Sequence, residues 1–191
     1  MLRASLISLG LFACLGTHAQ ANEFKPMIDT FFAKNIQGWL TDPMVINAIK
    51  TQNTVHANLT ADDIQALDQQ WRAEEKKGGG ALIDKILATD LSKYLSDKKA
   101  SHANTITEMF VMDNKGLNVG QSDITSDYFQ GDEDKWQKTF GTGGAKIFVD
   151  EVEYDDSSKS FQSQISATIV DPATNTPVGA ITVGLNVESL L

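Results

Sequence analysis

The sequence is short of cysteine, histidine and basic charge, and each shortage removes a class of function. Its one cysteine, Cys14, falls in an N-terminal segment that reads as an export signal. The chain expected after processing therefore has no disulfide framework, no thiolate nucleophile and no thiolate metal site. Of the histidines, His56 and His102 remain, and neither neighbours a carboxylate or serine motif in sequence. They read as surface or helix-flanking residues, so no catalytic residue is assigned and no enzymatic activity is expected. Sixteen Lys and Arg face 25 Asp and Glu, a formal charge of −9. That balance excludes nucleic acid and anionic membrane surfaces as partners.

The N-terminus is organised for export. Arg3 supplies a positive start, "LISLGLFACL" (6–15) an apolar stretch, and "AQA" (19–21) the small-x-small pattern of a cleavage site. The apolar stretch is too short to anchor in a bilayer. The expected division is a signal peptide over 1–21, cleaved after about Ala21, and one domain over 22–191. Removing Arg3 with the signal gives a mature charge of 15 − 25 = −10. "LFAC", ending on Cys14, leaves a lipoprotein as the alternative.

Two periodicities divide the remainder near residue 105. In "FKPMIDTFFAKNIQGWL", Phe24, Met27, Ile28, Phe31, Phe32, Ile36, Trp39 and Leu40 follow the i, i+3, i+4 spacing of one buried helical stripe. "TDP" (41–43) starts a new helix with Asp42 as cap and Pro43 at its first position. "TADD" (60–63) is a variant capping box, and "KKGGG" (76–80) ends the helix it opens. "ALIDKILATDLSKYL" (81–95) reads as one further amphipathic helix.

The second half alternates with period two. "ITEMFVM" (106–112), the turn "DNKG" (113–116) and "LNVG" form a hairpin; "KIFVDEVEY" (146–154), "SFQSQISATIV" (160–170) and "PVGAITVGLNV" (177–187) supply three more strands. The short, turn-rich links favour antiparallel neighbours. The expected fold is α+β, helices packed on a five-stranded antiparallel sheet. One connection, from about 122 to 145, is far longer than the others, and long connections in compact domains are usually functional or carry structure of their own.

"FVMDNKGLNVGQSD", "SDYFQGDEDKWQKTF" and "ISATIVDPATNTPVGAITVGLNV", in this order after a run of helices, resemble the extracytoplasmic PAS-like sensor domains called Cache or PDC domains. The resemblance covers about residues 24–190. It implies a sheet of spatial order 2-1-5-4-3, a long N-terminal helix along one side, and a small-molecule pocket between the sheet and the crossover. It also implies a periplasmic location and signalling through a membrane-bound receptor, kinase or cyclase. The sequence departs from the family layout at both ends: the apolar N-terminal segment reads as cleavable, and no transmembrane segment follows in the mature chain. It also lacks a clear counterpart of the Arg-and-aromatic motif by which double-module members grip amino acids. The expected role is thus a sensor domain without its own output domain, binding a small polar metabolite. The alternative is a protein-interaction module of the same fold that binds none.

Candidate site residues come from two places. In the crossover, Asp123 and Asp127 offer acceptors to an amine or hydroxyl, and Tyr128 offers a ring with a hydroxyl. Plain loop anchoring is the other reading of the same three. Trp136 belongs to "GDEDKWQKTF", which reads as a short helix capped by Asp132 and docked through Trp136 and Phe140. On the helix before "KKGGG", Arg72 is a carboxylate partner walled by Trp71, or else a solvent-facing Arg beside a core Trp. "GTGGAK" (141–146) lacks phosphate-loop spacing, and "DNKG" lacks the terminal Glu of a calcium loop, so neither a cofactor nor a metal is assigned.

Overall fold

The computed structural model describes residues 22–155 and 159–191. The expected signal peptide and Cys14, with the lipoprotein alternative, lie outside the described residues. Helix α1 (Lys25–Asn35) carries Pro26 in its first turn, where a missing N–H costs nothing. A 3₁₀ turn follows at Gln37–Thr41, and α2 (Pro43–Val55) then starts on its expected cap, Asp42 accepting from the Met44 amide at 2.8 Å. The stripe expected over 24–40 is therefore carried by a helix and a 3₁₀ turn, with Ile28, Phe32 and Ile36 buried.

Helix α3 (Ala61–Glu75) opens on a complete Thr60/Asp63 capping box. After it the chain turns through "KKGGG", with Gly78 at φ +81°. Helix α4 (Ala81–Leu87) begins after Gly80, which has no side chain to cap it. The cap comes from α3: one Glu74 carboxylate oxygen accepts from the amides of Leu82 (2.9 Å) and Ile83 (3.0 Å). The single helix expected over 81–95 is in fact two. Thr89 caps a new helix, α5 (Asp90–Ala100), by accepting from the Ser92 amide at 3.1 Å, and a capping hydroxyl at that point ends α4.

Strand β1 (Ile106–Met112) turns into β2 (Asn118–Gln121) as expected. After the crossover, the strand expected over 146–154 is split into β3 (Ile147–Val149) and β4 (Glu153–Asp155), both pairing with β5 (Ser160–Asp171). The sheet closes with β6 (Thr176–Asn186), antiparallel to both β1 and β5. The order is β2-β1-β6-β5-β3. With β3 and β4 counted as one interrupted strand, this is the 2-1-5-4-3 order that the family resemblance implies.

The register assigns every side chain to a face. Met109, Val111, Ile165, Ala167, Ile169, Ile181, Val183 and Leu185 point one way, and the buried residues of α1, α2 and α5 seal them into the main core. The opposite face alternates with these. It carries Glu108, Phe110 and Met112 on β1, Ala180, Thr182 and Gly184 on β6, and Gln162, Gln164, Ser166 and Thr168 on β5. Phe110, Met112 and Ala180 form a small apolar island there, covered by Trp136 and Phe140 of the crossover. The rest of that face is polar or small.

Gly179 marks where the sheet is tightest. A Cβ there would lie 2.2 Å from the Met112 carbonyl oxygen and 3.1 Å from Ile49 of α2. Gly179→Ala is expected to cost about 1–3 kcal/mol through backbone displacement, read as a lower urea midpoint at unchanged slope. An unchanged midpoint would show that β1 and β6 have room to separate.

Candidate functional site

The crossover between β2 and β3 is fastened at several points before it reaches the sheet. Leu117 and Phe129 form an isolated antiparallel bridge. The Asp68 carboxylate, projecting from α3, accepts the amides of Tyr128 (2.9 Å) and Phe129 (3.0 Å) on one oxygen and the Arg72 Nε–H (2.6 Å) on the other. Asn118, wholly buried, donates to Thr125 Oγ1 at 2.9 Å and to the Asp127 carbonyl at 3.2 Å. The segment expected as a helix over 131–140 is shorter than the sequence suggests: α6 spans Asp134–Gln137, its preceding residue is Glu133, and Asp132 does not cap it. The expected docking is present, with Trp136 and Phe140 rings 5.3 Å apart and the Trp136 indole N–H donating to the Asp113 carbonyl at 3.2 Å.

Four of the six sequence candidates come together, and the indole of Trp71, the guanidinium of Arg72 and the carboxylate of Asp127 are taken by partners within the chain. Trp71 is fully buried and stacked on Tyr128 at 5.4 Å, and its indole N–H donates to the Thr125 carbonyl at 2.8 Å. Arg72 reaches Asp127 at 2.9 Å while also holding Asp68. Burial pushes the Asp127 carboxyl above its ordinary range; Arg72 opposes this, and Glu133 and Asp68 add to it. Burial likewise raises the Tyr128 hydroxyl, with the nearby Asp113 charge acting the same way. Asp123 stands apart, paired with Lys99 of α5 at 2.5 Å. Trp136 packs on the apolar island. The structure thus places these residues as fasteners of the crossover.

The space beneath the crossover is elsewhere. A cleft of about 510 Å³ lies between the polar face of the sheet and the crossover's first half. Its walls include Glu108 and Phe110 of β1, Gln162 and Gln164 of β5, Thr125, Ser126 and Gln130 of the crossover, and Lys135 of α6. Glu153 and Tyr154 of β4 form part of its rim. None of the six sequence candidates is among the residues that line it. Glu108 is fixed across the sheet by the side-chain amides of Gln162 (2.7 Å) and Gln164 (2.8 Å), both reaching the same carboxylate oxygen. Gly184 makes room for this: a Cβ there would fall 2.7 Å from the Glu108 side chain and 3.0 Å from that of Gln162. Sequence reasoning passed over these residues because they sit inside strands. The available signal was alternation: a charged residue at position 108 and glutamines at 162 and 164 share the face opposite the apolar one.

Among the described residues, no helix is long and apolar enough to cross a membrane, and no group of three or more His, Cys, Asp or Glu is arranged to hold a metal ion. No protein-family model and no curated protein matches the chain. Solved structures that match it are sensory domains of chemoreceptors and histidine kinases. The ligand-binding domain of the Campylobacter jejuni chemoreceptor Tlp3, in complex with 4-methylisoleucine, is 16% identical, with 87% of this chain and 56% of that one covered and a TM-score of 0.44. The sensor domain of the V. cholerae histidine kinase DctB is 10% identical, covering 88% of this chain and 56% of that one at a TM-score of 0.42. The E. coli DcuS sensor domain is 14% identical over 68% of this chain and 90% of that one, at 0.39. The chain thus spans little more than half the length of the first two.

Removing the Asp68 carboxylate tests the fastening. Asp68→Ala leaves two backbone amides and the Arg72 Nε–H without their acceptor, a loss of about 2 kcal/mol. Hydrogen exchange at Tyr128 and Phe129 is expected to accelerate while β5 and β6 stay protected; unchanged protection at those two amides would rule the fastening out. Asp127 gives a pH test. Its folded-state value lies above the unfolded one, so its stabilising contribution is full below the ordinary carboxylate value of about 4 and is lost as pH rises through the folded value. The stability of the wild type relative to Asp127→Asn is therefore expected to fall with rising pH from about 4, measured by urea unfolding at each pH.

Proposed function

We propose that this chain is an extracytoplasmic sensor domain that binds a small polar metabolite in the cleft between its sheet and the 121–140 crossover. The observation that carries this reading is the polarity of the covered sheet face. A domain that only needed stability would bury hydrocarbon there, because polar side chains lose water at a cost that hydrogen bonds must offset. Here a carboxylate, two glutamines and small hydroxylated residues are kept under a segment fastened along its edge and open in the middle. Pockets for small molecules combine aromatic walls with a few fixed polar groups, and Phe110, Tyr154 and the Glu108 network supply that combination.

Binding without chemistry is the proposed activity. The bound state would reach a membrane-bound receptor, kinase or cyclase in the periplasm through α3 and α5, which hold the crossover by the Asp68–Arg72–Asp127 and Lys99–Asp123 contacts. A ligand moves these helices only by the difference in its affinity for the two arrangements.

The protein purified without denaturation is expected to release a small molecule detectable by mass spectrometry. Adding that molecule back at about 100 times its Kd should stabilise the fold by about 2.7 kcal/mol, visible as a raised melting temperature. A protein that carries nothing and ignores a broad metabolite panel would leave the interaction-module reading in its place.

A further inference from the structure

The charge inventory of the cleft points to the class of its ligand. Glu108, Glu75, Glu133, Asp150 and Glu153 stand along its walls, against Lys135 as the one cation among the lining residues. Lys135 is committed: its ammonium pairs with Glu133 at 2.9 Å and lies 5.4 Å from the centre of the Phe110 ring. Arg72, the arginine the sequence offered for gripping a carboxylate, is held by Asp68 and Asp127 and does not line the cleft. An anionic or zwitterionic ligand would therefore meet carboxylates with no free cation among the described lining residues opposite its own carboxylate.

Glu108 is a built feature rather than one acid among many. Its Oε1 accepts from two glutamine amides, which fix the side chain without neutralising it. Its Oε2 accepts no hydrogen bond among the described residues. Gln162 is itself held by the Thr107 hydroxyl, so the support is two residues deep. A partly buried carboxylate oriented by neutral donors presents one oxygen in a set direction, which suits an ammonium N–H donor or, through charge alone, a quaternary ammonium. The half-exposed Tyr154 adds an aromatic face, which attracts cations, while that of Phe110 already carries Lys135.

We propose that the cleft takes a small organic cation, an amine or quaternary ammonium without a carboxylate, and that Glu108 is its anchoring residue. The proposal rests on the reading of the cleft as a ligand site. The full mature chain is titrated in low-salt buffer with 1,4-diaminobutane, choline, succinate, 1,4-butanediol and calcium chloride, by thermal shift and calorimetry. At least one of the two organic cations is expected to raise the melting temperature, with succinate and butanediol inert. Glu108→Gln retains an oxygen for Gln162 and Gln164, so its unliganded melting temperature is expected to hold while its Kd rises about tenfold or more. Asp29→Asn, on the far side of the sheet in α1, should leave the Kd unchanged. Should Glu108→Gln fold poorly, the salt series decides: the Kd of the unsubstituted chain must weaken as NaCl rises. Stabilisation by succinate or butanediol but by neither cation overturns the charge assignment and leaves ligand binding standing. Calcium as the only stabilising probe overturns it as well. No response to any probe, in a protein that releases no small molecule, removes both readings together.

Discussion

The structure depends on one constraint: a strand alternates its side chains, so a sheet has two faces that a sequence must write separately. In β1, β5 and β6 the odd positions 109, 111, 165, 167, 169, 181, 183 and 185 are aliphatic apart from one methionine and one alanine, and the helices before the sheet close over them. The even positions carry Glu108, Gln164, Ser166, Thr168, Thr182 and Gly184. The second face therefore cannot be sealed as the first is. Its polar groups are satisfied largely within the sheet, Glu108 by Gln162 and Gln164 and Ser166 by Thr182, while the crossover that covers them is held from α3, α5 and β2. Cover and sheet meet through hydrocarbon where Trp136 and Phe140 pack on Phe110, Met112 and Ala180. The cleft sits beside that island, over the polar positions.

Much of this was legible in the sequence, because caps, turns and alternation are local signals. Asp42, the Thr60/Asp63 pair, the "KKGGG" stop and the "DNKG" hairpin behave as their chemistry requires. Two helices were misjudged for one reason. Over 81–95 and 131–140 the apolar spacing continues through a point where a polar residue competes for the backbone. Thr89 wins that competition in the first case. In the second, Asp132 and Glu133 precede a single helical turn, begun by Asp134, that docks by its tryptophan.

The candidate site was less legible, and the reason is also physical. Asp127, Tyr128, Trp71 and Arg72 drew attention because acids, aromatics and an arginine are the materials of binding sites. The same materials make good fasteners, and which role they take depends on whether partners come from the chain itself. Asp68 decides the matter: it lies within α3, 60 residues before Tyr128 in sequence, yet it holds both Arg72 and the Tyr128 amide. Glu108 escaped notice for the opposite reason. Inside "ITEMFVM" it looks like the solvent face of an ordinary strand, and only the register places it under a cover beside Gln162 and Gln164.

The strand order carries one more consequence. β6 lies between β1 and β5, so the backbones of the two ribbons β2–β1 and β5–β3 are paired only through a strand made after both. Until β6 is inserted, each ribbon exposes a long unpaired edge rich in Val, Ile and Met, the kind of edge that recruits other chains. Pairings this distant in sequence form slowly, because the loop-closure entropy comes before the contacts that offset it. Aggregation during folding is thus governed less by the stability of the finished domain than by how quickly its central strand arrives.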